Sequence, residues 1–351
     1  MNAVNEKDPV GGRAGAAEKG AARTWLRQQV GRMRPRAAQP GPQESAAQEP
    51  APPRPRIAVV TDSAAALPPE WVAGLEHAGL LTVVPIPVII GENVYSDDDA
   101  ELETHISLAL ATGKPVKTSR PSPGQFERAF KAAEAAGFAE IVSLHISAKL
   151  SGTFEAARLG AERSGIPVHV LDSATVGMGQ GRGVQAAVAA SLRGAGAQAV
   201  AAAGTAAVAA TEIYFYVPSL EQLRRGGRIS LASSWVGTVL DIKPILGIRD
   251  GAIVPLEKVR SAAKAIARLQ ALAAVDINTR GPAATQISVH HFGNEAQART
   301  LGESLKLAAP GLAAATLTRL PAVLAAHAGL GVLVVVVADV LLPPQRDAPA
   351  P

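Results

Sequence analysis

The chain contains no cysteine among its 351 residues. That absence excludes disulfides, thiol nucleophiles and zinc–thiolate sites, and it leaves the redox compartment open. Aromatic residues are scarce, at 3%, although the hydrophobic share is 48%. Alanine supplies much of that share, so helix faces must pack through small side chains. Long apolar runs are missing too. Val332 to Leu342 is apolar apart from Asp339, but it is too short to span a bilayer, and its valines favour a buried strand. No apolar run follows the first charged residues, which argues against a secretory signal. Excess positive charge is absent from the body of the chain. Residues 1–56 hold ten Lys/Arg against five Asp/Glu, and the rest hold 24 against 25. The high pI therefore belongs to the N-terminal tail, and the body is not a basic nucleic-acid-binding domain.

The tail, residues 1–55, is rich in Ala, Pro, Gly and Gln, a composition that predicts disorder. Within it Trp25, Leu26, Val30 and Met33 can share one face of a short helix flanked by arginines. Such a face suits an anionic membrane surface, although a solvated linker with incidental hydrophobes is the simpler account. From Arg56 onward, strand, turn and helix alternate in the manner of an open α/β sheet. Strands are expected at 57–60, 82–90, 140–145 and 168–171, with a short one before Lys117. Helices are expected from Pro68, through Leu102, Ile106 and Leu110 behind the cluster Asp97–Asp99, over 124–136, and as two Ala-rich helices within 184–210. Beyond residue 211 the pattern changes. Asp250-Gly251 between apolar runs predicts a hairpin, a helix follows from Ser261 to Val275, and strands are expected at 287–291 and 331–337. The fold class is thus α/β with two α/β domains. Residues 56–211 form a largely parallel open sheet, residues 212–344 a mixed sheet, and 345–351 a disordered end.

Four expected strand ends carry hydroxyls: Thr61/Ser63, Thr118/Ser119, Ser151/Thr153 and Ser173. In open α/β sheets, ligands bind outside the carboxyl ends of the strands. Ser151-Gly152-Thr153 stands between a buried strand and a helix. It can act as an ordinary N-cap, or it can hold an anion on the free N–H groups of the helix start. Other motifs fall short of a chemistry. Ser151, His327 and Asp172 compose a hydrolase triad on paper, without a G-x-S-x-G elbow. Gly113-Lys114 lacks the P-loop pattern, and glycines 177, 179, 181 and 183 miss the G-x-G-x-x-G spacing. His290 and His291 are adjacent and diverge in a strand, so they make a weak metal site, and Asp97–Asp99 lacks EF-hand spacing.

Taken in order, several segments resemble one known family. They are Thr61-Asp62-Ser63, Val84-Pro85-Ile86-Pro87-Val88, Thr118-Ser119-Arg120-Pro121-Ser122-Pro123, His145 to Phe154, Asp172 to Gly181, Leu223 to Ile229, Lys243-Pro244-Ile245-Leu246 with Asp250-Gly251, and His327-Ala328-Gly329. The set is similar to the DegV family of fatty-acid-binding proteins, which includes the acyl-carrying subunit of bacterial fatty acid kinase. The resemblance implies a long-chain fatty acid buried in an interdomain tunnel, with no other cofactor and no metal. It implies that Thr118 and Ser151 hydrogen-bond the carboxylate, with Arg228 and His327 nearby. Thr61, Ser63, Ser119, Gly152 and Thr153 are accessory pocket candidates. Arg228 could instead meet a helix dipole or solvent, His327 could be a satisfied loop histidine, and Ser119, Ser122 and Thr153 could cap helices. Tunnel lining by Ile86, Val88, Leu240 or Ile245 is a further expectation. The family's role implies a non-catalytic carrier that presents the lipid to a separate kinase subunit in the cytoplasm, with transient contact to the inner membrane surface through the tail. A serine-dependent acyl hydrolase and a ligand-free interaction module of the same fold are the alternatives. Two departures stand out: Arg120 replaces the usual Gln, and Leu330 replaces a proline after Gly329.

Overall fold

The computed structural model describes residues 56–96, 99, 101–229 and 242–341. The expected tail 1–55, Asp97, Asp98, Leu240 and the end segment 345–351 lie outside the described residues. Strand β1 (Ile57–Asp62) is buried along its whole length. Helix α1 (Pro69–His77) and strand β2 (Leu81–Val84) follow, with β2 parallel to β1 and Val59 opposite Leu81. The single strand expected over 82–90 is in fact two. Pro85 and Pro87 cannot donate to a ladder, and the one N–H between them, on Ile86, donates to Ser63 Oγ at 3.0 Å. The chain leaves the first sheet there and resumes as β3 (Val88–Ile90) in a second.

That second sheet is small and antiparallel. Strand β3 lies between β4 (Asn93–Tyr95) and β5 (Val116–Thr118), with α2 (Leu102–Ala111) between the two in sequence. Helix α3 (Pro123–Ala135) starts at Ser122, where a capping box with Gln125 satisfies the first free N–H groups. Strand β6 (Glu140–His145), helix α4 (Thr153–Ala161) and strand β7 (Val168–Asp172) complete a parallel sheet in the order β2-β1-β6-β7.

The Ala-rich segment forms α5 (Met178–Leu192) and α6 (Ala197–Ala209). The glycines at 179, 181 and 183, which fit no nucleotide motif, have a packing role. A Cβ on Gly183 would fall 2.5 Å from Val208 and 3.0 Å from the carbonyl of Gly204, and one on Gly181 would fall 2.5 Å from the Ala65 carbonyl. Bare Cα atoms therefore let α5 run buried through the middle of the molecule.

Thr211, where the expected domain boundary falls, precedes β8 (Glu212–Tyr216). Helix α7 (Glu221–Arg225) and the hairpin β9 (Lys243–Arg249)–β10 (Ala252–Val259) follow. The hairpin turns through Asp250 at φ 48° and Gly251 at φ 78°, which is the two-residue left-handed turn that Asp-Gly favours. Helix α8 (Ala262–Arg280) runs past its expected end. Then come β11 (Thr285–His291), α9 (Glu295–Ala308), β12 (Thr316–Arg319), α10 (Ala322–Ala328) and β13 (Leu333–Asp339). The third sheet has the order β10-β9-β8-β13-β11-β12 and is antiparallel except where β11 meets β12. Its central strands bury both faces. Ile213, Phe215, Val334 and Val336 face one apolar cluster with Met178, Ile86 and Ile106. Tyr214, Tyr216, Val335 and Val337 face another, under Leu269 and Leu301. Double-sided burial explains why β13 reads as an unbroken apolar run rather than an alternation. The described residues from Arg56 to Leu341 belong to one compact unit.

Candidate functional site

Inside the first of those clusters lies a cavity. Its volume is about 770 Å³ counting the open mouth. The walls are mostly apolar, with Ile146, Leu150, Ile213, Phe215, Val323 and Val334 contributing from four segments. Among the described residues, the polar side chains on the wall are Thr118, Ser151, Arg228, His290 and His327. Thr118, Ser151, Arg228 and His327, the expected carboxylate group, thus border one space.

Each arrives by a separate local device. Thr118 is the last residue of β5, held in register opposite Val88. Its Oγ1 lies 2.8 Å from His327 Nε2, in the last turn of α10. Gly329 ends that helix at φ 83°, a C-terminal stop in the left-handed range that glycine tolerates best. Arg228 follows α7 through Gly226-Gly227. A Cβ on Gly226 would stand 2.4 Å from His327 Nδ1, so only glycine leaves room for the imidazole. Gly227, at φ 68°, then turns the chain so that Arg228 Nε donates to the Leu150 carbonyl at 3.0 Å and Nη1 donates to the Gly226 carbonyl. The arginine is thereby pinned to the residue preceding Ser151. Arg225, by contrast, meets Glu221 on the surface.

Ser151 sits in the turn after β6, where the N–H groups of Leu150 and Ser151 donate to the Ser147 carbonyl. Ser147 Oγ donates to the Gly251 carbonyl at 2.7 Å, which ties this turn to the β9–β10 hairpin. Ser151 Oγ accepts from the Thr153 N–H at 3.3 Å and lies 2.8 Å from Thr153 Oγ1. Thr153 is buried at the start of α4, and Gly152 lies under the Arg120 side chain. The Ser-Gly-Thr turn therefore starts a helix and borders the cavity at once.

Burial, with the neighbouring Arg228 charge adding to it, pushes the His327 pKa down to about 4, so the ring is neutral near pH 7. A neutral His327 can donate from Nε2 to Thr118 Oγ1, which frees the Thr118 proton for a ligand. Thr153 Oγ1 can do the same for Ser151. Two hydroxyls with their acceptor sides engaged and their protons available suit an anion. His290 is buried and also lowered to about 4, by desolvation first and by His291 second. Its Nε2 accepts from the Met178 N–H at 3.1 Å, so Nδ1 carries the proton and donates to Thr318 Oγ1 at 2.6 Å. Its nitrogens are both engaged, and it offers the cavity no free donor.

The other candidates are engaged elsewhere. Thr61 Oγ1 donates to the Leu144 carbonyl at 2.7 Å and accepts from Gln180 at 3.0 Å, inside the core. Ser63 caps Ile86 and borders a different groove, beside α1. Ser119 is exposed, and its N–H donates to the Pro87 carbonyl. Ile86 and Val88 belong to the surrounding cluster without lining the cavity, and Ile245 faces the opposite side of its sheet. The paper triad does not assemble. Asp172 accepts from the N–H groups of Ala148 and Ala174, His327 meets Thr118, and Ser151 meets Thr153. A Ser-His-Asp relay does exist in another place, unread from the sequence. Asp62 Oδ2 lies 3.0 Å from His145 Nδ1, and His145 Nε2 lies 2.6 Å from Ser143 Oγ, with all three residues fully buried. Among the described residues, no cluster of His, Asp or Glu could hold a metal ion, and no helix is long and apolar enough to cross a membrane.

Residues 56–339 match the DegV family, whose description is that of an uncharacterised protein. The chain belongs to the DegV family. A DegV domain-containing protein of Streptomyces coelicolor is 40% identical over 284 residues, covering 81% of this chain and 98% of the relative. One from Mycobacterium tuberculosis is 34% identical over 276 residues, 78% of this chain and 94% of the relative. Among solved structures, a fatty-acid-binding DegV-family protein from Thermus thermophilus superposes with a TM-score of 0.73 at 30% identity, over 81% of this chain and all of that one. DegV of Bacillus subtilis, described as a fatty acid binding protein, superposes with a TM-score of 0.72 at 27% identity, over 81% of this chain and 99% of that one. The parallel sheet and the mixed sheet of this DegV-family chain are those of the two-domain DegV fold.

Proposed function

We propose that this DegV-family protein binds a long-chain fatty acid in the cavity, with Thr118 and Ser151 donating to the carboxylate and Arg228 and His327 supporting it. One observation carries the reading: hydroxyl, imidazole and guanidinium groups from four separate segments meet on the wall of an otherwise apolar cavity. The fatty-acid-binding relatives from Thermus thermophilus and Bacillus subtilis support the ligand class. The cavity's apolar walls suit an alkyl chain. Each methylene taken from water contributes about 0.8 kcal/mol, so the alkyl chain dominates affinity and the head group sets orientation. The segments 56–211 and 212–344 act as the two halves of the clamp.

The protein is a carrier rather than a catalyst. It presents the carboxylate to a separate kinase subunit, which transfers the γ-phosphoryl group of a nucleoside triphosphate to a carboxylate oxygen; the nucleoside diphosphate leaves, and an acyl phosphate remains bound. The basic tail attaches the carrier transiently to anionic membrane, where fatty acids partition.

Mass spectrometry of gently denatured purified protein should release long-chain fatty acid. Protein that is consistently free of lipid and takes up no added palmitate would instead be an interaction module. Thr118→Ala and Ser151→Ala each remove a charge-assisted hydrogen bond worth roughly 1.5–3 kcal/mol. Palmitate binding should weaken about 10- to 100-fold in each while the fold persists, and wild-type affinity in both variants rejects the head-group assignment. Binding to phosphatidylglycerol vesicles should drop when residues 1–55 are removed; equal binding dismisses the membrane role.

A further inference from the structure

Arg120 is two residues beyond Thr118, and its side chain crosses to the other hydroxyl-bearing turn. A Cβ on Gly152 would lie 3.0 Å from Arg120 Cδ and 3.1 Å from Nη1, so the guanidinium rests on the bare Cα of the residue after Ser151. It therefore bridges the two segments that carry the cavity's hydroxyls, from the solvent side. Arg228 approaches the same turn from within, and its donors go to the carbonyls of Leu150 and Gly226. Arg120 differs from it in one respect. Among the described residues its guanidinium donates no hydrogen bond and closes no ion pair. Glu155 feels the Arg120 charge, but its carboxyl is held low chiefly by its hydrogen bond to Arg158, with Arg120 a smaller contributor. Glu155 is thus already claimed by Arg158, at 2.8 Å.

An unpaired, exposed guanidinium over the N-terminus of α4 adds little to holding a single carboxylate that two hydroxyls already reach. Its planar fork suits a phosphoryl group, whose several oxygens and second charge would reach further from the Ser151 hydroxyl than a carboxylate does. We infer that Arg120 is a head-group specificity residue: it meets the phosphoryl oxygens of a bound acyl phosphate, so that the site holds the doubly charged product in preference to the singly charged fatty acid. The inference rests on the fatty-acid reading proposed above. It also gives the carrier a direction, because the form that has been phosphorylated is the one retained until a consuming enzyme takes the acyl group.

The test compares two ligands of equal chain length, palmitate and hexadecyl phosphate, at pH 8, where the phosphate is a dianion. In Arg120→Gln, affinity for hexadecyl phosphate should fall about five- to tenfold, as for one exposed charge-assisted contact. Palmitate affinity should stay within about twofold, the margin expected for an exposed charge that a singly charged head group does not engage. Arg120→Lys, which keeps the charge without the fork, should recover part of the loss. Raising the salt concentration should shrink the wild-type preference for the phosphate. Equal losses for both ligands, or undiminished phosphate binding in Arg120→Gln, overturn the role of Arg120 while leaving fatty-acid binding intact. If the wild-type protein binds neither ligand, the fatty-acid reading falls, and Arg120 loses its role with it.

Discussion

Two polar networks in this molecule use the same residue types and differ in how they end. The relay Asp62–His145–Ser143 is closed. Asp62 also accepts from the N–H groups of Ala64 and Ile146 at 3.1 and 3.0 Å, and Phe126 seals the imidazole edge-on at 5.0 Å. It joins the ends of β1 and β6 and fixes where the chain leaves the sheet toward Ser147. The network at the cavity is open. His327–Thr118 and Thr153–Ser151 each finish on a hydroxyl that borders empty space. A triad geometry is therefore no sign of catalysis when its serine is sealed. Hydroxyl chains with a free end, at the edge of an apolar void, are the better sign of a ligand.

Breaking the closed network should have the largest effect. Asp62→Ala strands a buried imidazole and two backbone N–H groups, a change that typically costs about 3–5 kcal/mol for a broken buried pair. The midpoint of urea denaturation should fall accordingly. Ser143→Ala removes only the terminal hydroxyl and should cost about 1 kcal/mol, with palmitate affinity unchanged because Ser143 does not reach the cavity. A loss below about 1 kcal/mol in Asp62→Ala would mean that the relay does not hold the strand ends. The open network should behave the opposite way, since Thr118→Ala and Ser151→Ala weaken binding far more than stability.

Local chemistry was legible where one residue type decides the outcome. Asp250-Gly251 turned a hairpin as expected, and the apolar runs of β1, β6 and β13 became buried strands. The single strand expected over 82–90 is divided at Pro85 and Pro87 between two sheets. Missing N–H groups say that pairing stops, not where the chain goes next. Helices α9 and α10 and strand β12 carried no distinct signal beside the runs around them. At the site, Thr118, Ser151, Arg228 and His327 were named through ordered motifs, while Thr61 and Ser63, also hydroxyls at a strand end, stood beside them as accessory candidates. Hydroxyls at strand ends read alike in sequence; whether one meets a carbonyl such as Leu144 or a cavity depends on partners far along the chain. The relay was invisible for the same reason, since Asp62 and His145 are 83 positions apart.

A smaller effect separates the two kinds of region by titration. His290 and His327 both sit near 4, against an ordinary value of 6.5. A group whose folded pKa is depressed binds fewer protons folded than unfolded between those two values, so stability falls as pH drops through that window. Full stability from these rings is present above pH 6.5. Between there and pH 4 about 3 kcal/mol is lost for each ring. Below pH 4 both states are protonated and the loss levels off. Fatty acid distinguishes the two rings. A carboxylate beside His327 stabilises the imidazolium and should raise its pKa, whereas His290, both nitrogens engaged by Met178 and Thr318, should stay where it is. Histidine NMR titrations with and without palmitate measure both at once. An upward move of His327 alone places the carboxylate at the open network. Equal movement of both rings, or of neither, would break the distinction between a sealed polar network and one that ends on a ligand.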